Sequence, residues 1–88
     1  MATVIINPDL SANPPTVSIK GGETVTWVSD SDFAIHLPAP YTNPNVNPGG
    51  GRFSGTSAPF PGKSQKYSVH YTVTANGQVH DPEIEIQP

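Results

Sequence analysis

Tyr67-Ser68-Val69-His70-Tyr71-Thr72-Val73-Thr74 (YSVHYTVT) places four apolar or aromatic side chains at every second position, with serine, histidine and two threonines between them. An extended chain sends successive side chains to opposite faces, so this octet predicts a strand buried on one face only. A helix would scatter the same four residues around its axis. Asn76-Gly77 follows almost at once, and that dipeptide favours a two-residue hairpin turn with positive φ at both positions. The chain closes with Glu83-Ile84-Glu85-Ile86, its isoleucines inward and its glutamates outward.

The same period of two recurs upstream. Thr16–Lys20 carries Val17 and Ile19 on one face, and residues 23–29 carry Val25 and Trp27 on one face, Trp27 being the predicted core anchor. Gly21-Gly22 between them predicts a tight hairpin. Val4-Ile5-Ile6 closes at Asn7-Pro8, a turn signal. No stretch has the i, i+3, i+4 stripe of a helix. About six or seven short strands at roughly 8–12-residue spacing predict an all-β fold, an antiparallel Greek-key β-sandwich, in one domain spanning residues 1–88.

Residues 38–62 interrupt the pattern, with eleven prolines and glycines in twenty-five positions. Each proline removes a backbone donor and fixes φ, so a long loop is expected here, with Gly49-Gly50-Gly51 as a flexible joint and Phe53 docking on the core. Loops on a rigid sandwich commonly carry recognition. Tyr41 and the asparagines of this loop are therefore candidates for contact with a protein or glycan partner.

Composition narrows the chemistry. Charged residues make up 12% of the 88, with a net charge of −3, against an ordinary ~25%. That leaves no basic stripe for a nucleic acid and no polybasic membrane patch. No apolar run approaches the ~20 residues of a membrane span, and the first residues lack the pattern of a signal peptide, so a soluble chain is expected. There is no cysteine, which excludes iron–sulfur clusters, cysteine zinc sites, thiol nucleophiles and copper–thiolate centres. The single methionine is Met1, so no thioether ligand is expected.

His36, His70 and His80 are the side chains expected to change charge near neutral pH. His36 follows Asp32-Phe33-Ala34-Ile35 and precedes the loop; His80 precedes the corner Asp81-Pro82. Both fall where a sandwich gathers its loops, and His70 is expected to face solvent. His36 and His80 are thus the candidate ligands for Cu(II) or zinc, with Asp81, His70 if the loops bring it near, a backbone carbonyl or water completing the shell. The alternative is that each imidazole bonds a loop carbonyl or water. No Ser–His–Asp spacing stands out, and Asp30, Asp32, Asp81, Glu23, Glu83 and Glu85 show no general-acid pair. No enzymatic activity is expected.

The order of elements resembles the cupredoxins. VSIKGGETVTWVSDSDFAIHLP is similar to the family's segment in which a strand with tryptophan precedes the first histidine ligand, KYSVHYTV to the strand before the ligand cysteine, and HDPEIEIQP to the closing strand. The resemblance implies that His36 takes the first ligand position, that the cysteine falls on Val73, and that His80 and Pro82 take the places of the axial methionine and a glycine. The second histidine would fall near Asn76 or Gly77, and neither is histidine. A type 1 blue-copper site needs two histidines and a thiolate, so none forms. What remains implied is a Cys-free Cu(II) site of nitrogen and oxygen donors, or a metal-free module that binds through its loops. The family is usually periplasmic or extracellular, although no export signal is seen in this chain.

Overall fold

The computed structural model describes residues 2–88; Met1, the one thioether, lies outside the described residues. Eleven short strands follow one another: β1 (Ala2–Ile6), β2 (Ala12–Asn13), β3 (Thr16–Lys20), β4 (Val25–Ser29), β5 (Ala34–His36), β6 (Asn47–Gly49), β7 (Arg52–Thr56), β8 (Tyr67–His70), β9 (Thr72–Ala75), β10 (Gln78–His80) and β11 (Glu83–Gln87). One layer has the order β2-β1-β4-β7-β6. The other consists of β3-β11-β8 and β10-β9-β5.

These two three-stranded pieces are continuous. Only Tyr71 separates β8 from β9, and only Asp81-Pro82 separates β10 from β11. The register stays in step across the gap, with His80 opposite Val73 and Glu83 opposite His70, while the Tyr71 N–H donates to the Pro82 carbonyl at 3.1 Å. Pro82 has no N–H to return, and that one missing donor interrupts the ladder. The octet read as one strand thus runs as β8 and β9, interrupted only at Tyr71. Its turn is as expected, Asn76 and Gly77 both having positive φ, 52° and 79°.

The inward parity holds throughout. Val69, Tyr71, Val73, Ile84, Ile86, Val17, Ile19, Val25 and Trp27 are all buried in one core, joined by Val4, Ile6, Phe33, Ile35 and Phe60. Each such burial stabilises by about 1.5–3 kcal/mol before entropy is counted.

Three expectations are corrected. Gly21-Gly22 is not a hairpin turn: β3 pairs in parallel with β11, and β4 pairs in parallel with β1, so the two glycines carry the chain from one layer to the other. Alternation marks a strand but does not name its neighbour, which is how the hairpin reading arises. Two parallel pairings also make the layers mixed rather than wholly antiparallel.

The third correction concerns residues 38–62, which contain the hairpin β6–β7. β7 pairs antiparallel with β4, with Gly55 opposite Trp27. Gly50 and Gly51, at φ 61° and 80°, form the turn of that hairpin rather than a joint. Pro48 is accommodated because β6 lies at the sheet edge, where a missing N–H breaks no inner ladder. Phe53 is partly buried against the core, but the deep anchor of the segment is Phe60, 1% exposed.

Candidate functional site

Strand register decides which of the candidate residues share a face, because directly opposed residues point to the same side of a sheet. Ile35 lies opposite Val73, and Val73 opposite His80, which makes one row. Ile35 and Val73 are 2% and 0% exposed, so this is the core-side row, with His80 at its exposed end. The next row is on the other face: His36 lies opposite Thr72, and the Thr72 hydroxyl meets Asp81 Oδ1 at 3.2 Å. His36 and His80 are therefore level along the sandwich, yet on opposite faces and on the strands flanking β9. Strands sit ~4.7–4.9 Å apart, which puts β9 and two interstrand gaps between the two imidazoles. A shared ion needs both nitrogens within ~2.1 Å of itself, and the register does not bring them together.

His80 instead looks toward the turn after β1. There the Asp9 carboxylate accepts from Ser11 Oγ at 2.6 Å and from Ser11 N at 3.0 Å. These bonds hold the Asp9 pKa below the ordinary carboxylate value, with a smaller contribution from the charge of His80.

The donor chemistry of the interior does not fit type 1 copper. Val73, at the position the thiolate would take, is fully buried against Ile35. Among the described residues no group of three or more His, Cys, Asp or Glu side chains is arranged to hold a metal ion. His70 is exposed, as its parity predicts. Sequence reasoning did not give its cross-strand partner: it lies opposite Glu83, on the face of His36 and Asp81. The alternation of β8 and β9 contains that information once the register is known.

The loop builds a second feature. The Leu37 N–H donates to Asn43 Oδ1 at 2.6 Å, and Tyr41 N to the Pro38 carbonyl at 2.9 Å. These two bonds fold residues 37–43 back on the body. Tyr41 and Phe60 rings then meet with centroids 5.3 Å apart, tilted by 49°. Together with Leu37, Pro40, Pro59 and Pro61 they line an open apolar groove of about 250 Å³. That is smaller than the ~300–1,000 Å³ of cofactor pockets, and suits one or two side chains. At its rim the Tyr67 hydroxyl donates to the Pro61 carbonyl, and Lys63 Nζ lies 4.3 Å from the centre of the Tyr67 ring. Burial, followed by the Tyr41 hydroxyl, pushes the Tyr67 pKa up to about 12.

No protein-family model and no curated protein sequence matches the chain. Solved structures do. The chain is similar to an oxidised M98L mutant of amicyanin, with a TM-score of 0.65 and 14% identity over 97% of this chain and 80% of that one. It is also similar to a cysteine protease inhibitor from Entamoeba histolytica, with a TM-score of 0.51 and 10% identity over 99% and 95% of the two chains. At such identities the likeness is one of fold, and that fold is all-β and cupredoxin-like.

Proposed function

We propose that this chain is a cupredoxin-like binding module whose interior works without metal and whose contact with a partner protein is made through the groove of Tyr41 and Phe60. The observation that carries the reading is the groove itself, in which the half-buried Tyr41 ring, packed on the buried Phe60, is flanked by Pro40, Pro59 and Pro61 in a segment folded back by the Leu37–Asn43 bond. Aromatic-lined grooves of this kind accept extended proline-containing segments, whose stiffness lowers the entropy lost on binding. The packed Ile35–Val73 contact supports the metal-free interior. No catalytic step is assigned, for want of a nucleophile and base in a suitable pairing. The similar structure that is a protease inhibitor gives a precedent for this fold engaging a protein, and nothing closer.

The test uses the isotopically labelled chain and a set of proline-rich decapeptides, read by amide shifts. Saturable shifts confined to Leu37, Tyr41, Thr42, Ala58 and Phe60, and abolished by Tyr41→Ala, are expected. Absence of saturable shifts, shifts elsewhere, or saturation by oligosaccharides instead would overturn the reading. Tyr41 is only half-buried, so the variant stays folded, and unchanged near-ultraviolet dichroism of Trp27 checks this.

A further inference from the structure

The molecule measures 38 × 24 × 22 Å, and its charges are sorted toward its two ends. Three of the four lysine and arginine side chains, Lys20, Lys63 and Lys66, come from segments that meet at one end. Lys20 closes β3 opposite Gln87, and Lys66 precedes Tyr67, which lies opposite Ile86. The backbones of Gly21 and Gly62 abut, bringing Lys63 beside the same turn. The groove belongs to this end too: the Phe60 carbonyl accepts from Gly22 N at 2.7 Å, and Phe60 N donates to the Glu23 carbonyl at 3.0 Å. β4 leaves from there with β1 parallel to it, so Asp30 and Asp32 after β4, and Asp9 after β1, are carried to the opposite end. Asp81 and Glu83 stand at the far end of β11. Of the seven acidic side chains, only Glu23 and Glu85 remain on the side of the lysines.

Those two carboxylates are already engaged. Glu85 Oε1 lies 3.7 Å from Lys66 Nζ, and Glu23 Oε1 accepts from Lys20 N at 2.7 Å. Lys63 differs: it is exposed, its Nζ sits 4.3 Å from the centre of the Tyr67 ring, and among the described residues no carboxylate is within ion-pair distance of it. The Tyr67 hydroxyl donates to the carbonyl of Pro61, which lines the groove. One tyrosine ring therefore separates the ammonium from the groove's wall.

We propose that the segment received by the groove carries an aspartate or glutamate within about three residues of its proline, and that Lys63 selects for that carboxylate. The inference rests on the groove reading above and adds the partner's charge to it. A polyproline helix rises ~3.1 Å per residue, so two or three residues carry a side chain from the Tyr41–Phe60 pair across the Tyr67 ring to Lys63. The ring face already holds the ammonium, which reduces the side-chain entropy that weakens most surface ion pairs. The five carboxylates of the far end repel an acidic segment and orient its approach toward the lysines.

The test uses three proline-rich decapeptides that differ only in flanking residues, glutamate, glutamine or lysine, titrated into the isotopically labelled chain at about 0.01 M ionic strength. The glutamate peptide should bind about two- to fivefold more tightly than the glutamine peptide, with the lysine peptide weakest, and the differences should vanish near ~1 M salt. Lys63→Gln should bring the glutamate peptide down to the affinity of the glutamine peptide, whereas Arg52→Gln, at the other end, should leave the preference intact. Equal affinity for the three peptides, preference for the lysine peptide, or a preference that survives Lys63→Gln would overturn this inference while the groove reading stands. No saturable binding of any peptide would overturn both. Self-association of the chain in sedimentation, lost in Lys63→Gln, would make the acidic end of a second copy the occupant and overturn the assignment to a separate partner. Lys63 and Arg52 are both exposed, and unchanged melting temperatures separate lost selectivity from unfolding.

Discussion

The rings of Trp27 and Tyr71 meet edge to face at the centre of the core, with centroids 5.2 Å apart and planes inclined at 63°. Both are fully buried, and neither Trp27 Nε1 nor Tyr71 Oη has a well-formed hydrogen bond. Burial raises the Tyr71 pKa, and the nearby indole N–H offsets part of the rise. The pair combines a large apolar gain with two poorly satisfied polar atoms.

Tyr71→Phe should therefore be nearly neutral or stabilising, within about 1 kcal/mol, because it removes a buried hydroxyl that lacks a good partner. Trp27→Ala should cost about 3–5 kcal/mol and in a chain this small should unfold it. Urea melts of both variants check the contrast. A loss of several kcal/mol in Tyr71→Phe would mean that the hydroxyl is well bonded after all.

Gly21→Ala should destabilise by about 1–3 kcal/mol, since its Cβ would lie 2.3 Å from the Gly62 backbone. Gly49→Ala is the control, having open space around it and no positive φ. Melting temperatures of the two variants should separate clearly. Equal values would show that the crossing at Gly62 yields without strain.

Val73→Cys restores a thiol where the cupredoxin resemblance implies one, yet should give no intense visible charge-transfer band with Cu(II). Of the histidines, only His80 shares its row, and Ile35 occupies the other side, so the two-histidine, one-thiolate set is not assembled. Loss of part of the buried side chain should cost about 1 kcal/mol. A blue spectrum on adding Cu(II) would show that the inner row rearranges.

Tyr67 should titrate late. Its folded pKa of about 12 exceeds the ordinary tyrosine value of ~10, so the folded chain holds the proton more tightly than the unfolded chain. The stability this contributes is whole below pH 10 and is lost as pH rises toward 12. Ultraviolet titration of Tyr67→Phe against the parent should remove one tyrosine from the late phase, leaving that of buried Tyr71; loss of a tyrosine from the early phase instead would contradict the assignment.

The alternation of residues 67–74 and the dipeptide Asn76-Gly77 were enough to specify a strand, its buried face and its turn, because side-chain parity and positive φ are local properties. Parity likewise placed Trp27 inside and His70 outside. The absence of cysteine excluded thiolate copper before any coordinates, since no arrangement supplies a missing atom. Partners across a sheet are another matter. Gly21-Gly22 looks the same whether it turns a hairpin or crosses between layers, and only the close approach of Gly62 with the parallel pairing of β3 to β11 decided between them. The glycines after Pro48 became a turn because β7 found β4. His36 and His80, both near loop ends in sequence, were set on opposite faces by the register of β5 and β10 on β9, and the same register put His70 and Glu83 beside His36 and Asp81. Pairing between distant strands is fixed by the burial of the whole core at once, and that information is tertiary.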